Sequence, residues 1–102
     1  MKILYKDNEN FIKITKLNDL FVIGYSECPN GHIYCNEKYI TKMLNMTRHQ
    51  FRTILIKHNA ILEIEKTVFN ESLLYYGFES KIDAEMALEE LESIYILNKL
   101  TE

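Results

Sequence analysis

Tryptophan is absent from this chain of 102 residues, proline occurs once and glycine three times. So few breakers, with no repeat, low-complexity tract or linker, imply a single domain over residues 1–102 without a hinge. No stretch reaches the ~18–20 apolar residues that span a bilayer. Met1 and Lys2 are followed by no long apolar run and no small-residue cleavage site, so no signal peptide is expected, and a cytoplasmic location is. The catalytic signatures GxSxG, GxGxxG, HExxH and the P-loop are all missing. His49 and His58 would sit about 13–14 Å apart along one helix, too far to share a metal or a proton. The acids near the C-terminus read as a solvated helix face rather than paired catalytic carboxylates. A non-enzyme without a cofactor is expected.

Two cysteines are present, in the segment CPNGHIYC. Asn30-Gly31 is a strong signal for a two-residue hairpin, because both central positions of a type I′ turn need positive φ. That turn would set Cys28 opposite Ile33 and Cys35 opposite Ser26. The two cysteines would then lie diagonally, about 7 Å apart or somewhat less at Cβ. A disulfide wants about 3.8 Å. Cys28, His32 and Cys35 make a poor metal set, since His32 would point to the other face and no second CxxC exists. Two reduced cysteines in a sheet are expected.

Apolar residues make up 47% of the chain and charged residues 26%, which is an ordinary globular balance with enough aliphatics for one core. A chain of this size is marginally stable and gains from oligomerisation. Its wealth of Ile, Lys and Asn fits an AT-rich genome, as in low-GC bacteria and their phages. The net charge is −3, which argues weakly against non-specific nucleic-acid binding. The distribution says more. Residues 1–35 are neutral, residues 36–58 carry a net +4 and residues 59–102 a net −7. Local potential, not total charge, governs a phosphate-binding surface.

The pattern predicts an α+β fold. Residues 2–5 and 11–16 alternate as short strands, the second burying Ile12 and Ile14. Asn18-Asp19 marks a turn, and residues 20–27 run into the Asn30-Gly31 hairpin. Residues 1–35 thus form an antiparallel sheet of three or four strands. Asn36 is a suitable N-cap for a helix, with Glu37 favourable at its positive end. Asn59 suits the end of the second helix. Residues 61–79 form a β-hairpin around FNES. Ser80 caps a long C-terminal helix over 81–99. Ala84, Ala87, Leu88, Leu91 and Tyr95 line its core face. Beyond residue 93 apolar residues surround it. That asks for a partner chain, and a homodimer through Leu91, Ile94, Tyr95, Leu97 and Leu100 is expected; the alternative is a helix tucked under the sheet.

The most informative stretch is residues 37–58, EKYITKMLNMTRHQFRTILIKH. Ile40, Met43 and Leu44 share one helical face, and Phe51, Ile54 and Leu55 repeat that spacing. Thr47 and Gln50 form a capping box between them. Asn45 sits where the chain reverses, and Asn tolerates the left-handed backbone. LNMT resembles the LGxS/T turn of bacterial and phage helix-turn-helix proteins. Leu44, Met46, Phe51 and Ile54 stand at that family's apolar core positions. Thr41 replaces its usual Ala or Gly, and Asn45 its usual Gly. The hairpin over 61–79 stands where winged-helix relatives carry their wing.

The resemblance implies a transcriptional regulator that binds double-stranded DNA and lays the second helix in the major groove. Arg48 and Arg52 are candidates for guanine edges, and Gln50 for adenine where its cap leaves it free. His49 and Thr53 share the outward face. Lys57 shares the outward face too, and Thr47, the helix N-terminus and Lys42 would contact phosphate and set the register. Lys66, Thr67 and Asn70 would mark the wing tip, although Glu65 and Glu71 nearby repel phosphate; otherwise the hairpin only completes the sheet. A second class stays open. Seven tyrosines, Tyr25, Tyr34, Tyr39, Tyr75 and Tyr76 among them, and an acidic C-terminal half suit a small protein that binds and inhibits or adapts a host protein. The DNA reading needs Arg48 and Arg52 exposed; the protein-binding reading tolerates their pairing with acids.

Overall fold

A computed structural model describes residues 3–6, 11–26, 33–35, 37–66 and 72–100. Strands β1 (Ile3–Lys6), β2 (Phe11–Leu17), β3 (Leu20–Ser26) and β4 (Ile33–Tyr34) precede helices α1 (Glu37–Leu44) and α2 (Arg48–Lys57). Strands β5 (Ile61–Lys66) and β6 (Ser72–Phe78) follow, and α3 (Lys81–Leu100) completes the α+β fold. No described helix is long and apolar enough to cross a membrane.

The β2–β3 hairpin turns on Asn18 and Asp19, whose φ angles are 51° and 68°. Both short polar residues accept the left-handed backbone that a two-residue hairpin demands. Its register sets Ile14 against Ile23 and Ile12 against Tyr25, on one face. That face receives the helices. Ile12, Ile14, Ile23 and Phe78 pack there with Ile40, Leu44, Phe51, Ile54, Leu55, Ala84, Ala87, Leu88 and Leu91.

The hairpin after the helix pair is not a separate unit. Strand β6 pairs with β3 through Phe21–Phe78 and Val22–Gly77, giving the sheet order β1-β2-β3-β6-β5. Strand β4 pairs with the other end of β3, Tyr25 to Tyr34 and Ser26 to Ile33. Since β2 runs along the whole first edge of β3, β4 and β6 share its second edge. The expected register with Cys35 opposite Ser26 is therefore corrected by two residues. Ile33 takes the place opposite Ser26, and the chain leaves the sheet after Tyr34 to start α1 at Glu37, so Cys35 belongs to no strand pair. Cys28, His32, Asn36, Thr67 and Asn70, to which the sequence assigned roles, lie outside the described residues.

Candidate nucleic-acid interface

The two helices meet at a turn fixed by local chemistry. Asn45 has φ 53°. Its N–H donates to the Lys42 carbonyl at 3.3 Å, and that of Met46 to Thr41 at 3.1 Å. These two bonds are the Schellman pattern, which satisfies carbonyls that the end of α1 would leave orphaned. The same device ends α2: Asn59 has φ 70°, its N–H donates to Ile56 at 3.0 Å and that of Ala60 to Leu55 at 3.0 Å. Thr41, at the close crossing of the helices, is buried and turns its hydroxyl back to the Glu37 carbonyl at 2.7 Å. The buried hydroxyl is thus satisfied within its own helix.

Thr47 starts α2 with the expected capping box. The Gln50 N–H donates to Thr47 Oγ1 at 3.1 Å, and the Thr47 N–H donates to Gln50 Oε1 at 3.0 Å. The cap therefore occupies the Gln50 carbonyl. Bidentate reading of adenine would use the amide's oxygen and nitrogen together, and in this structure that oxygen is engaged in the cap.

With Phe51, Ile54 and Leu55 inward, Arg48, His49, Gln50, Arg52, Thr53 and Lys57 are all exposed. Ile56 joins them, a residue not among the expected readers; plotting the helix at 100° per residue puts it beside His49 and Thr53. The Thr53 hydroxyl donates to the His49 carbonyl at 2.7 Å. Lys42 is exposed in the last turn of α1 and shares a shallow concavity with Thr47, Gln50 and Asn98.

The cations on the two flanks of this face are paired. Arg52 Nε donates to Glu37 Oε2 at 2.9 Å, and its terminal nitrogen reaches the other carboxylate oxygen. Arg48 Nε lies 3.9 Å from the same carboxylate. The Glu37 hydrogen bond, then its charge, raises the pKa of Arg52. On the opposite flank, Glu90 of α3 accepts from Lys57 Nζ at 2.9 Å and lies 3.0 Å from His58 Nε2. Those two hydrogen bonds lower the Glu90 pKa. The side chains of Arg48 and Arg52 remain 54% and 48% exposed.

The hairpin stands beside the arginine flank. An open groove of about 390 Å³ runs between α2 and the hairpin, with Arg48, Arg52 and Glu37 at its rim and Phe51, Leu62 and Tyr76 among its walls. Lys66 ends β5. Among the described residues no three His, Cys, Asp or Glu side chains converge as a metal cluster.

The expected dimer residues divide. Leu91 is fully buried within its own chain, and Ile94 and Tyr95 pack partly buried against the same core. Leu91 thus stabilises the monomer and is corrected out of any interface. Leu97 and Leu100 point outward.

No family profile, curated protein or solved structure matches this chain.

Proposed function

We propose that this protein is a small transcriptional regulator that binds double-stranded DNA in the cytoplasm and reads the major groove with residues 48–58. The observation that carries this reading is the helix pair: a capped turn, an apolar inner face, and an outer face bearing Arg48, His49, Arg52, Thr53 and Lys57. The pairing of Arg52 with Glu37 and of Lys57 with Glu90 is compatible with it. Exposed ion pairs are worth about 0–1 kcal/mol. A phosphate or a guanine edge offers these cations equivalent acceptors, and a bidentate arginine–guanine pair contributes about 1–3 kcal/mol of discrimination. In this reading Thr47 and Lys42, both exposed beside the turn, contact phosphates and set the register.

The deciding experiment is fluorescence anisotropy with a labelled mixed-sequence duplex at low salt, followed by a salt titration. The expected result is binding that weakens steeply with salt, as phosphate neutralisation requires. Absence of binding at low salt overturns the reading.

One observation favours a second reading, binding to a host protein. Leu62, Ile64 and Leu74 are all more than half exposed on the face of the hairpin beside the groove. Failure to bind DNA, with capture of a protein that Leu62→Glu and Leu74→Glu variants release, would establish it.

A further inference from the structure

Helix α3 has two apolar faces. One is the core face, on which Ala84, Ala87, Leu88 and Leu91 are fully buried. The opposite face carries Ile82, Met86, Ile96, Leu97 and Leu100, exposed at 68%, 48%, 48%, 60% and 77%. At 100° per residue these five fall within a sector of roughly 100°, together with Glu89 and Ser93. An exposed helical stripe is ordinarily polar; here only its middle is.

We propose that this stripe is the interface with a second copy of the chain, packed antiparallel about a two-fold axis at the level of residue 91. The order along the stripe is apolar, polar, apolar, and it reads the same in both directions. In an antiparallel pair Ile82 meets the partner's Leu100, Met86 packs beside the partner's Leu97 at the level of the partner's Ile96, and Glu89 lies level with the partner's Ser93. Aliphatic groups cover each other at both ends, and a carboxylate faces a hydroxyl in the middle. A parallel pair would instead oppose Glu89 to the partner's Glu89 within an apolar seam, where like charges are costly. Self-complementarity of one patch is what a closed two-fold interface requires. Each of the five aliphatic residues is about half exposed or more along the full length of the helix, and a standard interface takes ~800 Å² from each partner. The helix is about 30 Å long, so both ends engage at once. The pairing stands whether or not α2 binds DNA.

Sedimentation equilibrium on the full chain tests it. The expected result is a mass near twice 12.1 kDa at micromolar concentration. Met86→Glu and Leu97→Glu should each weaken self-association at least tenfold while leaving the circular dichroism spectrum unchanged, because neither residue belongs to the monomer core. A charge swap then reads the orientation. Ile82→Lys/Leu100→Glu puts opposite charges across both ends of an antiparallel pair and should dimerise better than Ile82→Lys/Leu100→Lys. A wild-type chain that stays monomeric overturns the proposal, as does a dimer indifferent to both glutamate variants. Equal behaviour of the two double variants overturns the antiparallel arrangement.

Discussion

Glu37, in the first turn of α1, grips Arg52, one turn into α2, through both oxygens of its carboxylate. A single acid thus ties the first helix to the outer face of the second, and any ligand that wants Arg52 must displace it. Glu37→Gln removes that competitor together with one negative charge. The expected outcome is duplex binding several-fold tighter at low salt, while Arg52→Ala loses about 1–3 kcal/mol at one base position. Stability should change little in Glu37→Gln, since the Arg52 end of the pair is open to solvent. Anisotropy and urea melts on the two variants check both statements; unchanged affinity in both would remove α2 from the interface.

Asn45 carries the left-handed turn between the helices. A residue with a Cβ and no short polar group costs about 1–2 kcal/mol in that conformation, whereas glycine adopts it without strain. Asn45→Ala should therefore unfold about 1 kcal/mol more easily than Asn45→Gly, since both variants lose the same side-chain contacts and differ only in the Cβ. The Asn45 carbonyl that accepts from Asn98 survives in both variants, so the comparison isolates the backbone. Denaturant unfolding gives the answer, and equal loss in the two variants would contradict it.

How legible these features are follows from their range. The Asn18-Asp19 turn, the Asn45 reversal, the Thr47–Gln50 box and the Asn59 terminator each depend on four or five neighbouring residues. Their chemistry is readable from the string alone. The alternation that buries Ile12 and Ile14 is readable for the same reason. Pairing across the chain is not. Glu37 finds Arg52 fifteen residues away and Glu90 finds Lys57 thirty-three away, which charge counting by segment treats as separate blocks. The junction of β3 with β6 brings Phe21 to Phe78, and nothing local to either announces it. The outward face of α3 was within reach, because Ile82, Met86, Ile96, Leu97 and Leu100 obey the helical period. Leu97 and Leu100 are legible as an interface from the apolar run after residue 93, but that run does not separate them from Leu91 and Tyr95, which the core takes.

Gly77 tests the junction that fastens the hairpin to the sheet. It pairs with Val22, and Leu20 lies over it. A Cβ built at Gly77 would stand 2.7 Å from Leu20 Cδ1 and 2.8 Å from Leu20 Cβ. The first atom can swing aside; the second is fixed to the backbone, so β3 and β6 would have to separate. Gly77→Ala should cost about 1–3 kcal/mol, as overpacking does. Leu20→Ala in the same chain should recover part of that loss by clearing the space. Urea melts of the single and double variants measure the coupling, and strict additivity would mean that the two residues do not meet in this way.

Glu90 gives the fold an acid-sensitive clasp. Hydrogen bonds from Lys57 and then His58 hold its pKa below the usual carboxylate value. A carboxylate depressed in the folded state stabilises the fold above its unfolded pKa, and that contribution is lost as pH falls through the lowered value. The loss should therefore begin as the solution is acidified below about 4.3, the ordinary value for glutamate. Glu90→Gln keeps the shape and one acceptor but cannot titrate. The variant should be the less stable protein at pH 7, and the gap should close on the way to pH 3. Because the carboxylate is partly open to solvent, the gap itself should stay within about 1 kcal/mol. Unfolding curves at several pH values compare the two, and a gap independent of pH would show that the Lys57–Glu90–His58 cluster contributes nothing to the acid limb.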